Sequence, residues 1–317
     1  MSTEPAVRVE DLRCVYDDFT AVNGVGFTVG RGEIFALLGT NGAGKTTTLE
    51  TIEGHRRADG GRVEVLGLDP WTRRHRVRRR VGIMLQASGF PGDLTVAESM
   101  RMASRLCAGH PDPDGPLARV DLAGRRDVRV ANLSGGERRR LELAVAILGD
   151  PEILFLDEAT SGMDPESRDR TLGIVRDLVD RGTTVVMTTH YLQEAEVLAD
   201  RIAIMHEGRI RVAGSKAEVL ARQPARIEFR IGGVGASKDL VGAGEWARRA
   251  VRDGGRWILE TADLQADLSR VLGWAGAHGI RLMDLDAHHA SLDDVFRAVV
   301  NDRLDPLPAP GQIAVPA

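Results

Sequence analysis

Lysine is nearly missing from this chain. Only Lys45, Lys216 and Lys238 occur among 317 residues, so 39 of the 42 basic residues are arginine. A lysine kept where arginine is the habit points to chemistry that suits a compact ammonium better than a planar guanidinium. Cysteine is as scarce. Cys14 and Cys107 alone exclude a disulfide framework or a paired-cysteine metal site, and they fit a reducing compartment. There is no basic surplus: a net charge of −4 gives no electrostatic footprint for nucleic acid. No apolar run approaches bilayer-spanning length, and the opening MSTEPAVRVEDL has no apolar signal core. A role at a membrane would then require another chain to do the spanning. What remains, 43% hydrophobic and 28% charged residues, is the composition of a soluble globular protein, and the length suggests two domains.

Strands are expected at 7–15 and 27–38, with NGVG between them as a turn. The 33–38 portion runs into a glycine-rich loop, and KTTTLETIEG reads as a helix. RVGIMLQ reads as a buried strand ending at Gln86. TVAESMRMASRLC, capped by Thr95, reads as a helix, as do GERRRLELAVAILG and the segment opened by Asp164-Pro165 and closed by Gly182. PEILFLDE and TTVVMTTH read as apolar strands. This alternation implies an α/β domain with a mainly parallel sheet. A helix KAEVLARQ ends near 223. A second, small α/β unit follows: strand RIEFRIG, a helix near 238–252, strand RWILE, helix DLQADLSRVLGWAGAHG, strand IRLMDLDAH and helix SLDDVFRAVV, ferredoxin-like in style. In that last helix Leu292, Val295, Phe296 and Val299 mark one apolar face. The expected domains are 1–223 and 224–302, with 303–317 a disordered proline-rich tail.

The chemistry concentrates at a few positions. Gly39, Gly42, Gly44, Lys45 and Thr46 satisfy the P-loop pattern. Its glycines let backbone N–H groups face phosphate oxygens, and the helix that follows presents its positive end to the same anion. Lys45 then serves the β- and γ-phosphates, and Thr46 offers a hydroxyl to Mg²⁺. Asp157 and Glu158 end an apolar strand, where ligands of such sheets bind. Asp157 is expected to organise Mg²⁺ through water, and Glu158 to polarise an attacking water. His190 and Gln86 each end an apolar strand, and His190 could meet a γ-phosphate. Ser134, Gly135 and Gly136 open another helix and make a second anion site. Two such helix ends serve one nucleotide if two copies pair head to tail.

Together these residues resemble the ATP-binding subunit of ABC transporters over residues of about 5–222. The resemblance implies a RecA-like P-loop NTPase core with an antiparallel β subdomain and a helical subdomain, followed by the small C-terminal α/β domain. Gly39, Thr40, Asn41, Gly42, Ala43, Gly44, Lys45, Thr46 and Thr47 match the Walker A loop, and Tyr16 falls where the family stacks an aromatic on adenine. Gln86 matches the Q-loop, which implies contact with Mg²⁺ and the reaction and passage of motion to the permease. Leu133 to Glu137 match the signature motif and Ser161 to Asp164 the D-loop. That implies contact of Ser134, Gly135, Gly136, Glu137 and Asp164 with the ATP bound by the other subunit. Ile153 to Asp157 match Walker B, Glu158 the catalytic glutamate and His190 the switch histidine. Departures are mild: Glu137 where glutamine is common, Ala159 where proline often stands, Met163 where leucine is usual.

The C-terminal unit and TLETIEG resemble exporter ATPases of the daunorubicin/doxorubicin-resistance type. The expected protein is therefore an ATPase that uses ATP and Mg²⁺, works as a homodimer on a separately encoded integral-membrane permease, and sits on the cytoplasmic face of the membrane. No nucleic-acid partner is expected. The alternatives are a soluble regulatory or nucleic-acid-linked ATPase and an importer subunit. Against the former, 226–301 shows no basic stripe and no aromatic stacking surface. A solvated helix face accounts for the basic run WTRRHRVRRR, and the adjacent His288 and His289 cannot share a strand or helix face as metal ligands.

Overall fold

The computed structural model describes residues 4–84, 89–232, 240 and 242–302. Its contacts divide the chain into two units. One ends at Lys216 and regains the chain at Val299, and the other is Ala217–Ala298. Gln86 and the proline-rich tail lie outside the described residues.

In the first unit, β1 (Val7–Tyr16) lies between β2 (Phe19–Val29) and β4 (Gly60–Val65) in an antiparallel sheet. A second sheet has six strands. The parallel series is β5 (Val81–Met84), β6 (Ile153–Asp157), β7 (Thr184–Thr188), β3 (Ile34–Gly39) and β8 (Arg201–His206), and β9 (Arg209–Ser215) closes it antiparallel. Every residue of β3, β6 and β7 is buried. That is why their sequences, IFALLG, ILFLD and TVVMT, do not alternate: strands covered on both faces need no polar face. Phe27 of β2 stacks on Phe35 of β3, centroids 4.8 Å apart and rings 8° from parallel, within a core shared by both sheets.

The expected strand 27–38 is two strands from different sheets, broken at Gly30–Glu33. NGVG is not a turn but lies inside β2. The chain reverses instead at Asp17–Asp18, between β1 and β2. The pairing of β1 with β2 slips between Val9 and Leu12 and again after it, and Gly24 (φ 75°) absorbs this irregularity opposite Asp11 (φ 46°). A glycine in a bulge and one in a turn leave the same local signal.

Helices lie on both sides of β5. Before it, α2 (Arg74–Val77) is one turn long. Between it and β6, α3 (Val96–Leu106) starts in a capping box in which Thr95 and Glu98 each satisfy the other's backbone N–H. α4 (Asp114–Arg119) and α5 (Gly135–Ala146) follow. α1 (Lys45–Ile52) leaves β3, α6 (Pro165–Asp180) leaves β6 and α7 (Leu192–Leu198) leaves β7. Each helix therefore starts beyond the carboxyl end of its strand, and these starts collect the site.

In the second unit β10 (Ala225–Gly232) pairs with β12 (Arg256–Thr261) on one side and β13 (Arg281–His288) on the other, with β11 (Val251–Asp253) at the edge. α9 (Leu264–Ala277) covers one face around Phe229, Trp246 and Trp274. α8 (Lys216–Leu220) precedes this sheet and α10 (Leu292–Val300) follows it, with Leu292, Val295 and Val299 buried. The helix expected near 238–252 is absent from the described part of that span. Glu245–Arg248 forms a single 3-10 turn and Val251–Asp253 is a strand. Gly254-Gly255 after Asp253 is a two-residue hairpin link, and it commits the residues before it to pairing.

Candidate active site

The P-loop joins β3 to α1. Gly44 caps α1 at φ 98°, in left-handed space, and a Cβ there would lie 2.4 Å from the carbonyl oxygen of Ala21. No other residue type fits without moving a strand. Lys45 is 8% exposed, and its Nζ donates to the carbonyls of Gly39 (2.9 Å) and Thr40 (3.1 Å). Burial lowers its pKa, and the nearby carboxylates of Glu158 and Asp157 only partly restore it.

A cavity of about 200 Å³ sits on the loop, lined by Gly42 to Thr47, Ala21, Tyr16 and Phe19. Tyr16 is 42% and Phe19 63% exposed, so both rings present apolar surface at the cavity. The Tyr16 hydroxyl lies 3.5 Å from that of Thr47. Behind Tyr16, the Arg56 guanidinium stacks 3.9 Å from the ring centroid and is fixed by the Val15 carbonyl (2.7 Å) and Asp59 (3.0 Å). One face of the ring is therefore taken and the other is left for a planar group. Phe19 and Arg56 were not legible as site residues. Only the hairpin and the end of α1 bring them to Tyr16.

The two acids at the end of β6 are positioned by β7. Thr188 donates its hydroxyl to Asp157 and accepts the Glu158 N–H at its carbonyl (3.1 Å). Glu158 holds a left-handed backbone, φ 48°, unusual for a glutamate. Its Oε1 lies 3.3 Å from Nδ1 of His190, and its carbonyl accepts from Arg139 of α5 at 2.7 Å. His190 stands two residues beyond β7 rather than at its end.

Ser134 caps α5: its hydroxyl accepts the Glu137 N–H (3.1 Å), and the Glu137 carboxylate takes the Ser134 N–H (2.9 Å) and Arg125 (2.8 Å). The Ser134 N–H, first among these contacts, holds the Glu137 pKa below the usual carboxylate range. A Cβ on Gly136 would lie 2.6 Å from Ser167 Oγ, and Ser167 in turn donates its N–H (2.9 Å) and hydroxyl (2.7 Å) to Asp164. The start of α5 and the cap of α6 are thus one packed unit. Neither Ser134 nor Asp164 lines the cavity on the P-loop.

Glu53, at the end of α1, is 2% exposed and sits in the field of Asp157; burial first, then Asp157 and Glu50, push its pKa to about 8. Burial lowers the pKa of His55, so its 3.1 Å contact with Glu53 joins two neutral groups at neutral pH. A folded-state pKa above the unfolded 4.5 means the native state binds the extra proton, so stability falls as pH rises from about 4.5 to 8. Glu53→Gln is expected to remove that fall. Relative to the parent it should gain up to about 4 kcal/mol of unfolding free energy between pH 5 and pH 8 in urea titrations. Parallel pH profiles would show that Glu53 does not titrate in this window.

Comparison with known proteins decides the family. A model described as ABC transporter matches residues 22–161, and one described as ABC transporter domain-containing protein-like, C-terminal domain, matches 225–291. The daunorubicin resistance ATP-binding protein DrrA3 of Streptomyces coeruleorubidus is 35% identical over 94% of this chain and 97% of its own length. The chain belongs to the ABC transporter ATP-binding proteins. As a member of that family it binds ATP and is an ATP-hydrolysing subunit. The daunorubicin/doxorubicin resistance ATP-binding protein DrrA of Streptomyces peucetius is 39% identical over 69% of this ABC subunit and 68% of its own length. A Nod factor export ATP-binding protein I of Paraburkholderia xenovorans is 38% identical over 69% and 74%. Among solved structures, cbiO1 from Clostridium perfringens, described as part of the ABC transporter complex cbiONQ, superposes with a TM-score of 0.63 at 26% identity, covering 69% of this chain and 91% of that one. Among the described residues, no helix of this subunit is long and apolar enough to cross a membrane.

Proposed function

We propose that this ABC subunit drives a separately encoded integral-membrane permease from the cytoplasmic face of the membrane, as a homodimer with ATP held between two copies. The observation that carries this reading is the convergence of Lys45, Asp157, Glu158 and His190 beyond the strand ends, with Glu158 and His190 at 3.3 Å. The base stacks on the free face of Tyr16, with Phe19 beside it. The backbone of Gly39, Thr40, Asn41, Gly42, Ala43 and Gly44 and the side chains of Lys45 and Thr47 cradle the phosphates. Glu158 accepts the proton of the attacking water, and His190 orients Glu158 and the γ-phosphate. The residues also fit a magnesium ion. Among those described no group of three His, Cys, Asp or Glu side chains forms a cage, and magnesium favours one or two protein oxygens plus phosphates and water over such a cage. The Thr46 hydroxyl, and Asp157 through water, would hold the ion, which supplies charge neutralisation on the phosphates. Gln86 is assigned to the same ion and to the permease contact on its motif alone.

The second helix end, Ser134 to Glu137 with Asp164, lies outside the P-loop cavity, which supports its use toward the nucleotide of the partner subunit. ATP closes the pair, and hydrolysis releases it. The relatives are resistance and export proteins, which supports export of a drug-type small molecule, its choice residing in the permease. The second unit supports this over a nucleic-acid-linked ATPase. Of the five arginines on its strands, Arg226 pairs with Glu260 and Asp294, Arg230 with Asp284 and Arg256 with Glu228, so three are already matched to carboxylates.

The test is the mass by light scattering of the Glu158→Gln protein with and without Mg·ATP, alone and combined with Ser134→Arg. We expect ATP to convert monomer to dimer and Ser134→Arg to abolish the conversion. Because Ser134 is also a helix cap worth about 1 kcal/mol, Ser134→Asn, which can cap, serves as the folding control. A mass independent of nucleotide in every variant would overturn the sandwich.

A further inference from the structure

Glu194, in the first turn of α7, is 3% exposed and has no part in the chemistry assigned above. A buried carboxylate is tolerated only when it is paired and hydrogen-bonded. An apolar replacement for such a buried pair is often neutral or stabilising, so core packing alone does not explain its presence. Its partners come from three separate segments. The Thr160 hydroxyl donates to Oε1. The Thr189 hydroxyl donates to Oε2 at 2.7 Å. Nε of Arg168, in α6, lies 3.4 Å from Oε1.

Each of those partners adjoins the hydrolysis site. Thr160 is two residues beyond Glu158, on the stretch that leads to Asp164. Thr189 precedes His190, and its hydroxyl oxygen also accepts the Tyr191 N–H at 2.9 Å. The Arg168 guanidinium lies 4.1 Å from the Tyr191 ring centroid, and that ring lies 4.1 Å from the imidazole of His190. His190 in turn meets Glu158 at 3.3 Å.

We infer that Glu194 is a positioning residue for hydrolysis. It ties the segment bearing Glu158, the segment bearing His190 and the first turns of α6 into one body, so that the Glu158–His190 contact and the Asp164 cap move together. The inference rests on the ATPase roles given above to Glu158 and His190. It adds the element that holds them in register. Glutamine at 194 has the same shape but only one acceptor oxygen. It can keep one threonine, must turn N–H groups toward the other, and gives Arg168 no counter-charge.

The test is a double-mutant cycle in the full chain with Glu194→Gln, His190→Ala and both together, measuring steady-state kcat and KM, ATP binding and thermal unfolding. Glu194→Gln is expected to lower kcat about tenfold or more with KM and ATP affinity little changed, a loss confined to the transition state. In the His190→Ala background it should have little further effect on kcat, because it acts by holding the Glu158–His190 contact, which that variant already lacks. Unchanged kcat in Glu194→Gln while His190→Ala is impaired, or two effects that simply multiply, would reduce Glu194 to a core residue and overturn the inference. If His190→Ala itself turns over normally, the role given to His190 is wrong and the inference falls with it. Should Glu194→Gln fail to fold, Thr189→Val removes one hydroxyl from the clamp and enters the same cycle with the same expected outcomes.

Discussion

The Glu158→Gln protein is expected to hydrolyse ATP about 10²–10⁴ times more slowly than the parent, the range typical of losing a general base, while binding ATP as well or better. The amide keeps the size of the side chain, and its oxygen can still meet Nδ1 of His190, now 3.3 Å from the carboxylate. What it loses is the ability to take a proton. It also loses a negative charge close to where phosphates bind, and like charges at short range in a partly buried site repel appreciably. Binding and turnover should therefore move in opposite directions. Phosphate release and equilibrium binding, measured on the same preparation, separate the two. Turnover near the parental rate would remove Glu158 from its role, and a parallel loss of affinity would mean the change had disturbed the loop instead.

Lys45→Met should have the complementary signature, a loss of ATP affinity of roughly 30- to 4,000-fold with little change in thermal stability. The affinity loss is that of truncating one side of a buried charge pair, about 2–5 kcal/mol. The stability expectation follows from which effect wins in the free protein. Burial lowers the pKa of Lys45 even though Glu158 and Asp157 oppose it. The ammonium is thus a net burden to the fold before any phosphate arrives, and an apolar side chain of similar length relieves it. Lys45→Arg is the informative companion. In a chain where arginine outnumbers lysine 39 to 3 it restores the usual cation. A planar fork cannot reach the Gly39 and Thr40 carbonyls as the compact ammonium does, so affinity should not recover. Retained affinity in Lys45→Met, read by calorimetry, would take the P-loop lysine out of phosphate binding.

The residues proposed to hold phosphate stand out in the sequence because their backbone requirements are local. A loop that turns N–H groups inward needs glycines at fixed spacing, and an acid at a strand end declares itself by following ILFL. What supports them could not be read, because it comes from elsewhere in the chain. Thr188 looks like one more β-branched residue of a buried strand, yet it holds both Asp157 and Glu158. Arg56 is one of many arginines until the end of α1 lays it under Tyr16. The same limit explains the errors in the fold. NGVG and DGG carry similar turn chemistry, but whether a glycine serves a bulge, as Gly24 does, or a hairpin, as Gly254-Gly255 do, depends on a neighbouring strand that sequence spacing does not supply.

The left-handed backbone of Glu158 has a consequence for anyone who tries to engineer this subunit. A non-glycine residue in that region costs about 1 kcal/mol or more, which glycine or asparagine would largely recover. A library ranked only by heat tolerance or expression yield is therefore expected to favour those residues at 158, and with the proposed general base gone each such winner should be an idle motor. At this position a thermostability screen and an activity screen select against each other, so a robust variant has to be sought with the glutamate held fixed.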